Sequence, residues 1–246
     1  MRLRQVALVA RELDRSVEDL CAVLGIDVAY NDPNIAIFGL VNAVMPVGNT
    51  FLEVVSPAEW GTTAGRYLER RGGDGGYMLI LQTRDLGHER ERIEKLGVRV
   101  VWEIDVGRAQ VIHLHPRDVG SSLVSFDQMS EWDEWEWAGP DWRSKVCLDS
   151  TTGIVAAELQ SEDPERCAAR WSEVLNTPRR GLEIPLEEGT LRFVEVADGR
   201  GEGLGGIDVA VTKAPAVVKR ARDRGLPVDG NCITLCGIRL RLVSVH

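Results

Sequence analysis

One arrangement of residues recurs four times along the 246-residue chain, and it limits the available folds more than any other feature. Each copy holds a short apolar strand, a turn, an amphipathic helix and a return into further strands. The leading strands are QVALVA (5–10), GYMLILQ (76–82), GIVAAELQ (153–160) and GGIDVAV (205–211). The segments that follow them, 11–25, 83–97, 161–178 and 212–227, carry apolar residues at the three- and four-residue spacing of one buried helix face. Leu13, Val17, Leu20, Cys21 and Leu24 make that stripe in the first copy, and Cys167, Trp171 and Leu175 in the third. Asp14 or Ser16, Ser161 and Thr212 suit the helix starts, where side-chain oxygens accept from orphan amides. Gly25, Gly97 and Gly225, with Asn176 in the third copy, suit the left-handed residue that ends a helix.

β-branched runs and alternation then predict strands at 35–47, 50–57, 111–116, 122–128, 189–198, 231–236 and 238–245. The plan is a β-α-β-β-β module repeated four times. It is an α+β fold of curved mixed sheets with outer helices, in which paired modules curl around a cup. The glycine runs at 70–77 and 199–206 lack the Gly-Lys-Ser/Thr ending of a phosphate loop and read as crossings between modules. Residues 129–145, MSEWDEWEWAGPDWRSK, hold four of the seven tryptophans: Trp132, Trp135, Trp137 and Trp142. A strap this aromatic is expected to pack against the body, since disordered linkers are poor in such residues.

Charge and cysteines narrow the partners. With 29 Lys+Arg against 38 Asp+Glu the formal charge is -9, which disfavours nucleic acid and anionic membrane surfaces. The first apolar run is too short for a leader or a membrane span. Cys21, Cys147, Cys167, Cys232 and Cys236 are odd in number and scattered, which points to reduced thiols and a cytoplasmic location.

The modules, with LGIDV after the first helix, GNTFLEVVSP closing the first module and LHPRDVG near the end of the second, resemble the vicinal oxygen chelate superfamily. Glyoxalases, methylmalonyl-CoA epimerases, bleomycin-resistance proteins and extradiol dioxygenases belong to it. The resemblance implies a domain at 1–128 (modules 1–56 and 76–128), a Trp-rich linker at 129–145 and a diverged domain at 146–246. It also implies a cup in which four strands offer ligands to one divalent metal. Those positions fall on Gln5, Glu53, Met78 and Ser125 here, and near Ile154, Glu195, Asp208 and Leu240 in the second half. A thioether and a neutral hydroxyl are poor partners for such metals. The expectation is therefore no cofactor, no metal of the family type, and at most a weakly held divalent cation.

What survives at those positions suits proton transfer beside a carbonyl, as in an isomerase, epimerase or lyase. Glu53 is the candidate base, Gln5 a donor to the developing enolate oxygen, and His113 a source of a second proton. Met78 and Ser125 are candidates for substrate contact, and Tyr77 and Trp102 for cup walls. His115 reads as a structural turn residue, and His88 and His246 as solvated. Two other functions fit the same residues. One is a binding protein of the bleomycin-resistance type, without chemistry. The other is a metal enzyme with an atypical ligand set of Gln5, Glu53 and His113. The expected partner in each case is a small molecule, and the chain a monomer or homodimer.

Overall fold

The computed structural model describes residues 1–245; His246, expected to be solvated, lies outside them. Strand β1 (Arg2–Val9) is buried along its whole length and leads into helix α1 (Leu13–Leu24). Leu20, Val23 and Leu24 on that helix are fully buried, and Gly25 ends it at φ 70. Its N-cap is Glu12, whose side chain caps nothing, rather than Asp14 or Ser16.

The strand expected over 35–47 starts late. Pro33–Phe38 forms a 3-10 helix instead: Asp32 accepts the Asn34 amide, Pro33 presets φ, and Gly39 at φ 68 closes the turn. Strands β2 (Leu40–Val47) and β3 (Thr50–Pro57) then pair antiparallel. Helix α2 (Thr63–Arg71) follows, in a stretch where the sequence reading places no element. Next come β4 (Gly75–Gln82), α3 (Leu86–Lys95), β5 (Val100–Asp105), β6 (Ala109–Leu114), the single turn α4 (Pro116–Val119) and β7 (Leu123–Met129).

The strap carries 3-10 turns at Glu136–Ala138 and Trp142–Lys145. Beyond it run β8 (Thr151–Ser161), α5 (Pro164–Leu175), β9 (Glu183–Pro185), β10 (Thr190–Glu195) and β11 (Gly203–Val211). The chain finishes with α6 (Ala214–Asp223), β12 (Val228–Asp229), β13 (Cys232–Leu235) and β14 (Ile238–Ser244). Asp163 caps α5, two residues after Ser161, and Lys213 precedes α6 without a side-chain cap. Thr212 instead donates its hydroxyl to the Asp149 carbonyl at 2.9 Å.

Two seven-stranded sheets result, ordered β2-β3-β1-β4-β7-β6-β5 and β12-β13-β14-β11-β8-β10-β9. The full β-α-β-β-β module appears in the second and fourth copies. In the first, the strand after the helix shrinks to one bridge, Tyr30 with Val44. Two compact units divide the chain. One comprises Met1–Val6, Tyr77–Glu136 and Ala156–Leu204, the other Ala7–Gly76, Trp137–Val155 and the chain from Gly205 on.

Each unit has a core under its own helices. In the first, α3 packs on β7 and α5 on β10, over Leu79, Leu81, Val124, Phe126, Leu191 and Phe193. Trp171 lies against Phe193 with ring centroids 6.1 Å apart. In the second, α1 packs on α6, where Arg220 Nε donates to the Val23 carbonyl at 2.9 Å and Arg224 pairs with Glu18 and Asp19. Each fully buried Leu, Val or Phe of these cores contributes about 1.5–3 kcal/mol relative to exposure. All five cysteines are free thiols, and no helix among the described residues is long and apolar enough to cross a membrane.

Candidate functional site

In the second unit, the β2–β3 ladder sets Asn42 opposite Val55 and Val44 opposite Glu53. Strand alternation therefore places Asn42, Val44, Phe51, Glu53 and Val55 on one face. Glu53 is 7 % exposed and Asn42 5 %, and Asn42 Nδ2 donates to Glu53 Oε1 at 2.7 Å. Two further bonds hold the asparagine. Asp32 N donates to Asn42 Oδ1 at 2.8 Å, and Asn31 Nδ2 donates to the Asn42 carbonyl at 2.6 Å. With its Oδ1 taken by a backbone donor, the side-chain amide can present only NH2 to the carboxylate. Asn42 also lines a cleft of about 970 Å³, together with the start of α1, the 3-10 helix and the first residues of β2. On the same face Phe51 meets Trp142 edge-on at 4.9 Å.

The first unit gathers three of the other candidates. Trp102 pairs across the ladder with His113, and His113 with Ser125, so the three form one row. The Trp102 and His113 rings lie 4.5 Å apart, tilted by 46°. Ser125 donates its hydroxyl to Asp127, two residues along the same face. Met78 shares that face of the β4–β7 pair, while Tyr77 alternates to the other side and cannot line the same wall. His115 caps α4, its Nδ1 accepting the Arg117 amide at 3.1 Å.

Burial pushes the His113 imidazole down from 6.5 to about 4. It is therefore neutral at pH 7. The unfolded chain binds this proton near pH 6.5 and the folded chain only near 4. Stability is therefore fully present above pH 6.5 and falls as the pH drops through that window, by about 3 kcal/mol. Urea titrations at pH 7 and pH 4.5 should show the loss, and His113→Phe should remove this component of it.

The strap engages the remaining position. Trp135 is 1 % exposed and donates its indole N–H to Gln5 Oε1 at 2.6 Å, with Arg4 lying 5.5 Å from the ring. Trp132 has two guanidinium groups over its ring, Arg2 at 4.1 Å and Arg84 at 3.7 Å from the centroid. Its carbonyl accepts from Arg2 Nη2 at 2.5 Å and from Gln82 Nε2 at 2.8 Å, and Arg2 Nε closes the set on Gln82 Oε1 at 3.0 Å. Arg2 also pairs with Glu188 at 3.0 Å. No local sequence pattern joins Arg2, Gln82, Trp132 and Trp135, which lie up to 133 positions apart. The available signal was two arginines in a strand that is otherwise apolar, beside a strap rich in tryptophan.

These partners decide how the family metal fits. The Gln5 oxygen takes an indole hydrogen, Met78 is a thioether, and Ser125 is turned to Asp127. Among the described residues no group of three or more His, Cys, Asp or Glu is placed to hold a metal ion. In the second half Ile154 and Leu240 are buried and apolar, Glu195 is exposed, and Asp208 is held by Arg241 through bonds of 2.9 and 3.0 Å. The residues present do not fit the family's metal.

Comparison with known proteins places the chain. A family model described as a glyoxalase-like domain matches residues 6–175. Ethylmalonyl-CoA/methylmalonyl-CoA epimerase of Cereibacter sphaeroides is 25% identical over 134 residues, covering 52% of this chain and 98% of that protein. A methylmalonyl-CoA epimerase variant of Streptomyces coelicolor, solved with 2-nitronate-propionyl-CoA, is 21% identical at a TM-score of 0.48. It covers 53% of this chain and 99% of its own. A hypothetical protein from Staphylococcus aureus shares the fold over 99% of both chains, at 13% identity and a TM-score of 0.69. With a family model matching more than half of its length, the chain belongs to the glyoxalase-like domain family of the vicinal oxygen chelate superfamily.

Proposed function

We propose that the chain moves a proton on a carbon beside the carbonyl of a small molecule, with Glu53 as the proton carrier. One observation carries the reading: a carboxylate 7 % exposed, its Oε1 fixed at 2.7 Å by Asn42, which itself lines a cleft of about 970 Å³. A buried, oriented carboxylate is what abstraction of a weakly acidic C–H requires, because the base must meet the carbon without competition from water. The relative from Cereibacter sphaeroides is by name an epimerase, and epimerisation beside a thioester carbonyl is removal and return of such a proton. Incubation in D2O with short 2-methylacyl thioesters is the direct test, read by loss of the α-proton signal. Deuterium uptake above the buffer rate supports the reading, and uptake no faster than buffer sinks it.

A second reading has its own observation. The Trp135 indole engages the Gln5 amide oxygen, so this amide is not poised as the family's ligand position would have it. A protein that binds a small molecule without transforming it fits that engagement. Ligand-induced thermal protection with no deuterium uptake and no product favours this alternative.

A further inference from the structure

We propose that the cleft beside Asn42 selects an uncharged or cationic carbonyl compound with an apolar body and rejects the phosphate-bearing nucleotide of a coenzyme A thioester. The proposal rests on the reading of Glu53 as the proton carrier and names the substrate class of that same site. The cleft measures about 970 Å³, the upper end of what small-molecule sites occupy. Leu13, Pro33, Ala36, Leu40 and Val41 give it apolar walls. Its charged groups are the carboxylates of Glu12, Asp14 and Asp32 against the single guanidinium of Arg15.

Phosphates are held by clustered arginines and lysines, or by bare amides at a helix start. Neither is offered here. The amide end of α1 borders the cleft, but Glu12 and Asp14 already occupy it with negative charge, and Glu12 makes no capping bond that would neutralise its effect. Asp32, which accepts from Asn34 N at 2.9 Å, adds a third carboxylate side chain to the lining. The apolar character continues outward. Ile37 is 67 % exposed and Phe38 39 %, both on the 3-10 helix whose Pro33 and Ala36 line the cleft. Exposed apolar side chains gathered at a cleft are surface that a ligand would cover. Together they favour a substrate that brings carbon rather than phosphate.

Two probes with one acyl thioester separate the cases: propionyl-CoA, and S-propionyl-pantetheine, which lacks the phosphates. With the full chain at low salt, titration calorimetry should show the pantetheine thioester binding at least about tenfold tighter than propionyl-CoA. The gap should narrow in about 0.5 M salt, where the Debye length falls to a few ångströms. Glu12→Lys with Asp14→Lys should tighten propionyl-CoA about tenfold and leave the uncharged ester nearly unmoved. Equal or tighter binding of propionyl-CoA, a gap indifferent to salt, or no binding of either ester overturns the proposal. Glu53→Gln separates this outcome from the fate of the proton-transfer reading. The preference for the uncharged ester should persist in that variant, whereas deuterium uptake should not. An intact preference without any uptake by the unaltered chain sinks the chemistry alone, and efficient uptake from propionyl-CoA sinks the selectivity alone.

Discussion

Trp135→Ala is expected to lower the unfolding free energy by about 3–5 kcal/mol, the range for truncating a fully buried aromatic side chain. Trp135 is 1 % exposed, so its ring is almost wholly removed from water. Two costs add. The cavity left by the indole forfeits its dispersion contacts, and Gln5 Oε1, which accepts the indole N–H at 2.6 Å, loses that buried donor. Trp135→Phe separates them, since it keeps most of the ring but deletes the N–H, and should cost about 1–3 kcal/mol. Trp60→Ala is the control: Trp60 is 99 % exposed, and a surface change of this kind stays within about 0.5 kcal/mol. Urea midpoints of the three variants, at matched slopes, measure all of these differences. A Trp135→Ala protein as stable as the Trp60→Ala protein would show the strap to be an ornament rather than part of the core.

The strap also shows where sequence reading reaches its limit. Periodicity is local, so the helices over 13–24 and 164–175 and the alternation of β14 follow from residues within two turns of one another. The 3-10 helix at Pro33–Phe38 was hidden because Ile35, Ile37 and Phe38 carry strand propensity, while Asp32, Pro33 and Gly39 at its ends impose a turn. Helix α2 was hidden for the opposite reason. Thr63–Arg71 has only Ala64 and Leu68 as buried apolar residues, and its third buried side chain is Arg71. Too little apolar periodicity remained to register.

The candidate site divides in the same way. Glu53 was legible, because a carboxylate in FLEVVSP interrupts an apolar strand. Its partner Asn42 was not, since their contact depends on the diagonal of a ladder whose register is set by a turn at Gly48 and Asn49. The partner of Gln5 lies 130 positions away, beyond any local pattern. That contact changes the chemistry of the position more than the identity of Gln5 does.

Glu53→Gln is expected to reduce α-proton exchange by at least about a hundredfold, the lower scale for loss of a general base. The substitution suits the site because it preserves shape. A glutamine side chain has the same length and can keep a carbonyl oxygen on Asn42 Nδ2, so the 2.7 Å bond has a counterpart and the strand keeps its packing. What disappears is the proton-accepting pair of electrons, since an amide is not a base at neutral pH. Binding of S-propionyl-pantetheine should then change little while exchange collapses, which is the signature of a group acting in the transition state rather than in ground-state affinity. Glu53→Asp sharpens the point. It keeps the charge but withdraws the carboxylate by about one methylene from Asn42, and a misplacement near 1 Å can cost about a hundredfold by itself. If charge alone mattered, through the field it sets up in the cleft, the aspartate variant would retain most of the rate. If Glu53 takes the proton, both variants lose most of the rate.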